Sequence, residues 1–385
     1  MLNLYSNNDR NKNESHTATE IKQQPKVWSQ LVEVLKNQED ELKGFIHQIY
    51  QKHDDVRVVF TGAGTSAFIG DILAPVLNSK DIRAKFEAIP TTHIVSNPDE
   101  YILKDTPTIF VSFARSGNSP ESVATVKLAE KLIKDFYHIV ITCNKEGQLA
   151  KDTQEDSKAI TILMPEKSHD KGFAMTSSFT CMMISAYTLF TGRYVSEDMS
   201  EQSDELIHLI SKKVDEVLNF DFTRAVYLGS GMLSHMAHES ALKMLELTGG
   251  KVVAIHESSL GFRHGPKSIL NEQSLVVLFI SEDPYTRKYD IDILKEVAGD
   301  ESGLKVVALT SSDDEKISTL ADWTIQVPKQ GGNFNDDLEL SLNYALFAQI
   351  LALKKSISLG VQPDNPSPDG RVNRVVKGVV IHDYK

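Results

Sequence analysis

The feature that most restricts what this chain can fold into is that it repeats itself. Arg57-Val58-Val59-Phe60-Thr61-Gly62-Ala63-Gly64 is matched by Arg224-Ala225-Val226-Tyr227-Leu228-Gly229-Ser230-Gly231. Ile139 to Thr142 has a counterpart in Val306 to Thr310, and Thr161 to Pro165 has one in Thr324 to Pro328. The offsets are 167 (229 − 62), 168 (310 − 142) and 163 (328 − 165), in order and in one narrow range. Such a series implies a duplicated unit. Within the first copy, short apolar runs at 56–61, 83–88, 108–113, 138–143 and 160–164 alternate with helical stretches such as 119–135. This alternation predicts an α/β fold: two units in tandem, each a five-stranded parallel sheet with helices on both faces. The expected organisation is a polar, loosely attached arm over 1–25, a first domain over 26–200, a second over 201–362 and a tail over 363–385. A leading helix opens each domain, running from Val27 to about Lys52 in the first and over about 204–219 in the second.

The loops that follow the strands carry the first chemical signal. Gly62-Ala63-Gly64-Thr65-Ser66 and Ala114-Arg115-Ser116-Gly117-Asn118-Ser119 each end a strand and open a helix. Glycines allow a tight turn, the helix start exposes N–H groups and partial positive charge, and serine hydroxyls add donors. Together these suit a phosphate. The second copy has Ile280-Ser281-Glu282-Asp283-Pro284 in the corresponding place, where two acids would repel an anion. Phosphate binding is therefore expected of the first copy alone. Gly62-Ala63-Gly64-Thr65-Ser66-Ala67, with Glu87 one strand later, also satisfies a loose dinucleotide fingerprint, but the hydroxyl loop at 116–119 favours a phosphomonoester.

The second copy carries titratable groups. Glu239, Lys243 and Glu246 share one helix face by their spacing, among Ala237, Ala241, Leu242, Met244 and Leu245. A lysine between two glutamates can hold one ionised while the other takes a proton; the plain alternative is a solvated salt-bridge ladder. His264, before Gly265-Pro266, could move a proton at neutral pH or be a turn histidine. His235, His238 and Glu239 lack the spacing of the familiar zinc helices, and no metal is expected. The net charge of −12 argues against general affinity for nucleic acid or anionic membrane. No run of 18 apolar residues exists, and Met1 to Pro25 has no apolar signal core. The two cysteines, Cys143 and Cys181, lie in apolar surroundings, so a soluble cytoplasmic protein without disulfides is expected.

These motifs, in order, resemble the sugar isomerase (SIS) domain proteins with two domains in tandem, and among them the galactosamine-6-phosphate deaminase/isomerase group, also described as tagatose-6-phosphate ketose/aldose isomerases. The likeness runs from about residue 30 to the end. It rests on Gly62-x-Gly64-Thr65-Ser66, Arg115 to Ser119, Ala174-x-Thr176-Ser177-Ser178-Phe179-Thr180, Glu239-x3-Lys243-x2-Glu246, Arg263-His264-Gly265-Pro266 and Asn373-Arg374-x2-Lys377. The resemblance implies that Ser66, Ser116 and Ser119 ligate phosphate, with Gly64, Thr65, Arg115, Asn118, Thr176, Ser177 and Lys377 also on the substrate. It implies Glu246 as the base between C1 and C2, His264 as the ring-opening group, and Glu239 and Lys243 as further lining. By similarity to the isomerase half of glucosamine-6-phosphate synthase, the histidine reaches in from a neighbouring subunit, so at least a homodimer is implied. Ala114 departs from the Ser-x-Ser-Gly loop of that relative. No cysteine precedes Cys143, so glutamine-fed amination is not expected. The implied activity is conversion of a hexosamine 6-phosphate to a ketohexose 6-phosphate and ammonia, with no cofactor. A tandem SIS protein that senses a sugar phosphate without turnover is the alternative, and a nucleotide-binding oxidoreductase the third reading.

Overall fold

The structure, a computed structural model, describes residues 14–196, 199–327, 336–376 and 378–385. The chain divides into two compact units. The front unit comprises Lys26–Asp170, Met175–Val195 and Gly370–Lys385; the rear unit comprises the segment ending at Pro25, Lys171–Ala174 and Ser196–Asp369.

The front sheet holds β1 (Arg57–Thr61), β2 (Lys85–Ala88), β3 (Thr108–Ala114), β4 (Phe136–Thr142) and β5 (Ala159–Leu163), all parallel, in the order β2-β1-β3-β4-β5. β3 and β4 are buried at every position, which is why they read as largely apolar runs; the polar groups inside them, Ser112 and His138, bond each other at 2.9 Å. The helices are α1 (His16–Asn37, of which the part from Lys26 belongs to this unit), α2 (Glu39–Lys52), α3 (Thr65–Asn78), α4 (Thr91–Ser96), α5 (Pro98–Tyr101), α6 (Pro120–Leu132), α7 (Gln148–Asp152) and α8 (Ser177–Thr191). Both faces of the sheet are covered. Val59, Phe110 and Val140 pack with Val126 and Ala129 of α6. Phe60 stacks on Phe86 with ring centroids 5.7 Å apart, meets Phe190 of α8, and touches Gly70 of α3 so closely that a Cβ there would lie 2.7 Å from the Phe60 Cβ. Each such ring, fully buried, contributes about 1.5–3 kcal/mol.

The rear sheet repeats the plan. β6 (Arg224–Gly229), β7 (Val253–Ser258), β8 (Ser274–Phe279), β9 (Lys305–Thr310) and β10 (Trp323–Gln326) lie in the order β10-β9-β8-β6-β7, the same topology read from the other edge. The helices are α9 (Met199–Val217), α10 (Met232–Leu247), α11 (Thr286–Ala298), α12 (Glu315–Leu320) and α13 (Leu338–Ser358). Val226, Val276 and Leu278 pack against Ile293, Leu294 and Val297 of α11. On the other face Phe279 stacks on Tyr344 of α13 at 5.1 Å.

The duplication extends to backbone angles. Gly64, before α3, has φ 56° and ψ −131°; Gly231, before α10, has φ 57° and ψ −132°. Each lies in the positive-φ region that favours glycine.

Two expectations need correction. Residues 16–25 are not a loose arm: they form the first turns of α1. The Asp364 carboxylate caps that helix, accepting hydrogen bonds from His16 N (2.8 Å), Thr17 N (2.9 Å) and Thr17 Oγ1 (2.7 Å), and Ala18 and Ile21 are fully buried. The single helix expected from Val27 to Lys52 is two, α1 and α2, separated at Gln38.

Candidate active site

In a parallel sheet of this order, the strand sequence reverses direction between β1 and β3, and ligands bind at the carboxyl ends of the strands there. The two loops at that point are 62–66 and 114–119. Gly62 cannot be replaced without collision, because a Cβ would lie 2.7 Å from the Ser66 backbone. The second loop is braced from β4 and the segment after it. Thr142 Oγ1 donates to Ala114 O (2.7 Å), Asn144 Nδ2 to Ser116 O (2.8 Å), Leu149 N to Gly117 O (3.1 Å) and Gln148 N to Asn118 Oδ1 (2.8 Å). Asn118 thus holds the loop through its side-chain oxygen.

The three serines keep donor capacity. The Ser66 hydroxyl makes only a long contact to the Met175 sulfur (3.7 Å), Ser116 Oγ accepts from Asn118 N (3.3 Å), and Ser119 Oγ, at the start of α6, has no partner among the described residues. Arg115 donates to the carbonyl of Arg374 (3.1 Å). Glu87 is held by Arg57 at 2.7 Å; burial works against its ionisation, but Arg57 outweighs it and keeps the carboxyl below its usual range. That pairing occupies the acid a dinucleotide would need for its ribose.

Thr176 and Ser177 are completely buried. Thr176 N (2.9 Å), Thr176 Oγ1 (2.9 Å), Ser177 N (3.0 Å), Ser178 N (3.0 Å) and the Ser178 hydroxyl all donate to the Asp170 carboxylate. Asp170 thereby satisfies the N-terminus of α8, and the conspicuous hydroxyl run supports a helix. Sequence reading missed Asp170; its separation of six residues from Thr176 gives no helical or turn signature. Removing this acceptor from a buried site leaves several donors unmet. Asp170→Ala is expected to lower the unfolding free energy by about 1–3 kcal/mol or more, read as a lower urea midpoint with an unchanged slope.

In the rear unit, α10 brings Glu239, Lys243 and Glu246 together as their spacing implies. Lys243 Nζ lies 3.3 Å from Glu239 Oε1 and 2.5 Å from Glu246 Oε2. Lys243 is 1% exposed, Glu239 2% and Glu246 25%, so the ladder is buried at one end and open at the other. Burial opposes the charge on Lys243, but the two carboxylates overcome it and hold the ammonium's pKa above its ordinary value. His264 is exposed, follows a 3₁₀ turn at Gly261–Arg263, and makes no side-chain hydrogen bond or ion pair among the described residues. Its loop is tied to α11, where Glu296 accepts from Arg263 Nε (2.5 Å) and Lys267 Nζ (2.8 Å).

His238 and His256 stack face to face, with ring centroids 3.9 Å apart at 16°. Burial, followed by the nearby His256 and His235, pushes His238 down to about 4. Stacked rings do not converge their nitrogens on one ion, and among the described residues no group of three His, Cys, Asp or Glu side chains is arranged to hold a metal.

The corresponding loops of the rear unit have spent their donors internally. Asp283 Oδ1 accepts from Tyr285 N (3.1 Å) and Thr286 N (2.8 Å), and these bonds hold its carboxyl below the usual range. Asp337 accepts from Ser281 Oγ (2.6 Å) and Glu282 N (2.9 Å). Asp283, one of the two acids noted in the sequence, therefore does more than repel an anion: its carboxylate takes N–H donors an anion would use, and Asp337, which the sequence did not single out, does the same. Lys377, expected on the substrate, lies outside the described residues.

Residues 49–192 and 221–347 match the SIS domain family. The chain belongs to that family. Across nearly its whole length this SIS protein is similar to D-galactosamine-6-phosphate deaminase AgaS of Escherichia coli, 40% identical over 96% of both chains. The enzyme of the same name from Shewanella is 40% identical over 96% of this chain and 92% of its own. A solved structure of tagatose-6-phosphate ketose/aldose isomerase from Escherichia coli superposes with a TM-score of 0.86 at 37% identity, covering 96% of this SIS chain and 98% of that one. Among the described residues, no helix is long and apolar enough to cross a membrane.

Proposed function

We propose that the protein is an amino-sugar-phosphate deaminase/isomerase that converts galactosamine 6-phosphate and water to tagatose 6-phosphate and ammonia. The observation that carries the reading is the graded burial of the Glu239–Lys243–Glu246 group. Glu239 is sealed in, Lys243 is held charged, and Glu246 alone reaches solvent with a carboxylate held in place. The near-full-length likeness to enzymes named as galactosamine-6-phosphate deaminases supplies the substrate.

The chemistry follows from these groups. Ser66, Ser116 and Ser119 bind the phosphate with neutral donors, aided by the starts of α3 and α6. Arg115 and Asn118 shape the second loop, and Gly64 and Thr65 the first, which Thr176 and Ser177 support through α8, packed on α3. His264 moves the proton that opens the sugar ring. Glu246 takes the proton from C2 of the open 2-amino aldose and returns it to C1, while the amine gives up a proton and O1 gains one, which leaves the 2-imine of the ketose. Water adds to the imine carbon and ammonia leaves, so no redox cofactor or metal is called for. The exposed, unengaged His264 supports a role toward a second copy of the chain, hence a homodimer. Two buried free thiols, with burial pushing Cys143 up to about 12, support a cytoplasmic location. We assign residues 370–376 and 378–385 as a cover for the front unit, with Arg374 over the second loop through Arg115. Arg374 donates to Asp170 O, Lys131 Nζ donates to Tyr384 O (3.1 Å), and Tyr384 Oη donates to Asp99 Oδ1 (2.5 Å).

The test is ammonia release from galactosamine 6-phosphate, glucosamine 6-phosphate and their N-acetyl forms. Turnover of the galacto amine, with tagatose 6-phosphate as product, is the expected result. Binding of every compound with no turnover would instead support a sensor.

A further inference from the structure

Asp290 lies in the first turns of α11 and is fully buried. Its Oδ1 accepts from Ser230 Oγ (2.5 Å) and Ser259 Oγ (2.6 Å), and its Oδ2 accepts from Ser281 N (3.0 Å). These donors sit on three different loops, after β6, β7 and β8. Ser230 lies between Gly229 and the Gly231 that starts α10, the helix of Lys243 and Glu246. Ser259 begins the segment that leads through Gly261–Arg263 to His264.

A buried carboxylate is costly unless its hydrogen bonds are complete. The front unit shows that the fold does not need this one. The bond from Ser259 N to Gly229 O (2.9 Å) has its twin in the bond from Thr91 N to Gly62 O (2.8 Å). On that alignment Ala63 stands for Ser230 and Thr91 for Ser259, and the strand register, in which Thr108 takes the place of Ser274, puts Arg115 in the place of Ser281. Subtracting the offset of 167 from 290 gives Val123, and its neighbour is Ala124. The same sheet edge therefore closes without a carboxylate in the unit that carries the phosphate loops. It is clamped in the unit that carries the proton-transfer groups.

We propose that Asp290 is a positioning residue for the reaction: one buried carboxylate ties the root of the Glu246 helix to the root of the His264 loop and fixes their mutual geometry. The inference deepens the deaminase reading and rests on it for its catalytic consequence, but the clamp itself is a statement about structure. Asp290 touches no substrate. It acts through Ser230 and Ser259, and the two segments it joins should loosen together when it is removed. Burial raises the Asp290 pKa, against the two serines and the Ser281 N–H, which favour its ionised form.

The experiment compares the full-length protein with Asp290→Ala and Asp290→Leu by hydrogen exchange and by steady-state kinetics, each with and without formate. In Asp290→Ala, faster exchange is expected at 230–236 and 259–264 together, with 108–119 unchanged, and formate should reverse it by refilling the carboxylate site. The kcat should fall by about 10²-fold, the cost of a small misplacement of reacting groups, with KM little altered and with recovery in formate. Asp290→Leu keeps most of the volume but offers no acceptor to the two hydroxyls or to the Ser281 N–H; it should show the same paired loosening without response to formate, because its side chain fills the carboxylate site, and it carries the test if the alanine variant does not fold. Loosening confined to α11 and the end of β8, or spread over both units with no effect of formate, would overturn the proposal. If the parent enzyme released no ammonia, the deaminase reading would fail while the exchange result still decided the clamp.

Discussion

Glu246→Gln is expected to lower kcat by about 10²–10⁴-fold, the usual cost of removing a general base, while leaving KM within a few-fold of the parent. The split follows from where the groups sit. Glu246 is on α10 of the rear unit, and the phosphate donors are in loops of the front unit, so the amide removes proton transfer without removing a phosphate ligand. Glu239 cannot substitute. It is 2% exposed against 25% for Glu246, on the inner side of the same lysine. Glutamine keeps an oxygen that can accept from Lys243 Nζ, so folding should be little affected. Initial rates of ammonia release over a range of galactosamine 6-phosphate, with a urea curve on the same preparation, decide the matter. A variant that turned over at near-parental kcat would place the base elsewhere.

Much of this arrangement is legible in the chain because it is local. The repeat fixes two copies of one sheet. The apolar runs fix the strands to within about two residues, and the Gly-x-Gly turns mark the carboxyl edges where loops gather. Glu239, Lys243 and Glu246 are legible because helical spacing alone puts them on one face. What escapes the sequence is long-range polar pairing. Asp364 caps α1 from the far end of the chain, a partner that the local cap on Ser15 Oγ (from Ala18 N, 3.2 Å) does not announce. Asp170 takes the donors of Thr176, Ser177 and Ser178, which turns a motif that looks like a ligand set into a supporting one. Asp290 did leave a trace: with Ile293, Leu294 and Val297 it falls on the buried stripe of α11, and an acid on such a stripe must have partners inside the fold.

Lys243→Met should cost about 3–5 kcal/mol of unfolding free energy, the penalty for removing one partner of a buried ion pair. The thioether fills much of the lysine's volume, so the loss is chiefly electrostatic. Glu239 would keep a charge at 2% exposure with its cation gone. A double variant, Lys243→Met with Glu239→Gln, separates charge from packing. Because the isolated carboxylate is then neutral, it should regain a large part of the loss; equal losses in the single and double variants would mean that packing dominates. Urea midpoints at constant slope measure both. The pH dependence has a definite sign. The Lys243 pKa is raised on folding from its ordinary value of 10.5. The protonated amine therefore stabilises the fold fully below that value, and the contribution falls away as pH rises from 10.5 through the folded-state pKa. The parent should lose this increment in alkali and Lys243→Met should not, so the gap between their urea midpoints narrows on the alkaline side. A gap that stayed constant would mean that the lysine contributes through its alkyl chain and not through the charge that keeps Glu246 in place.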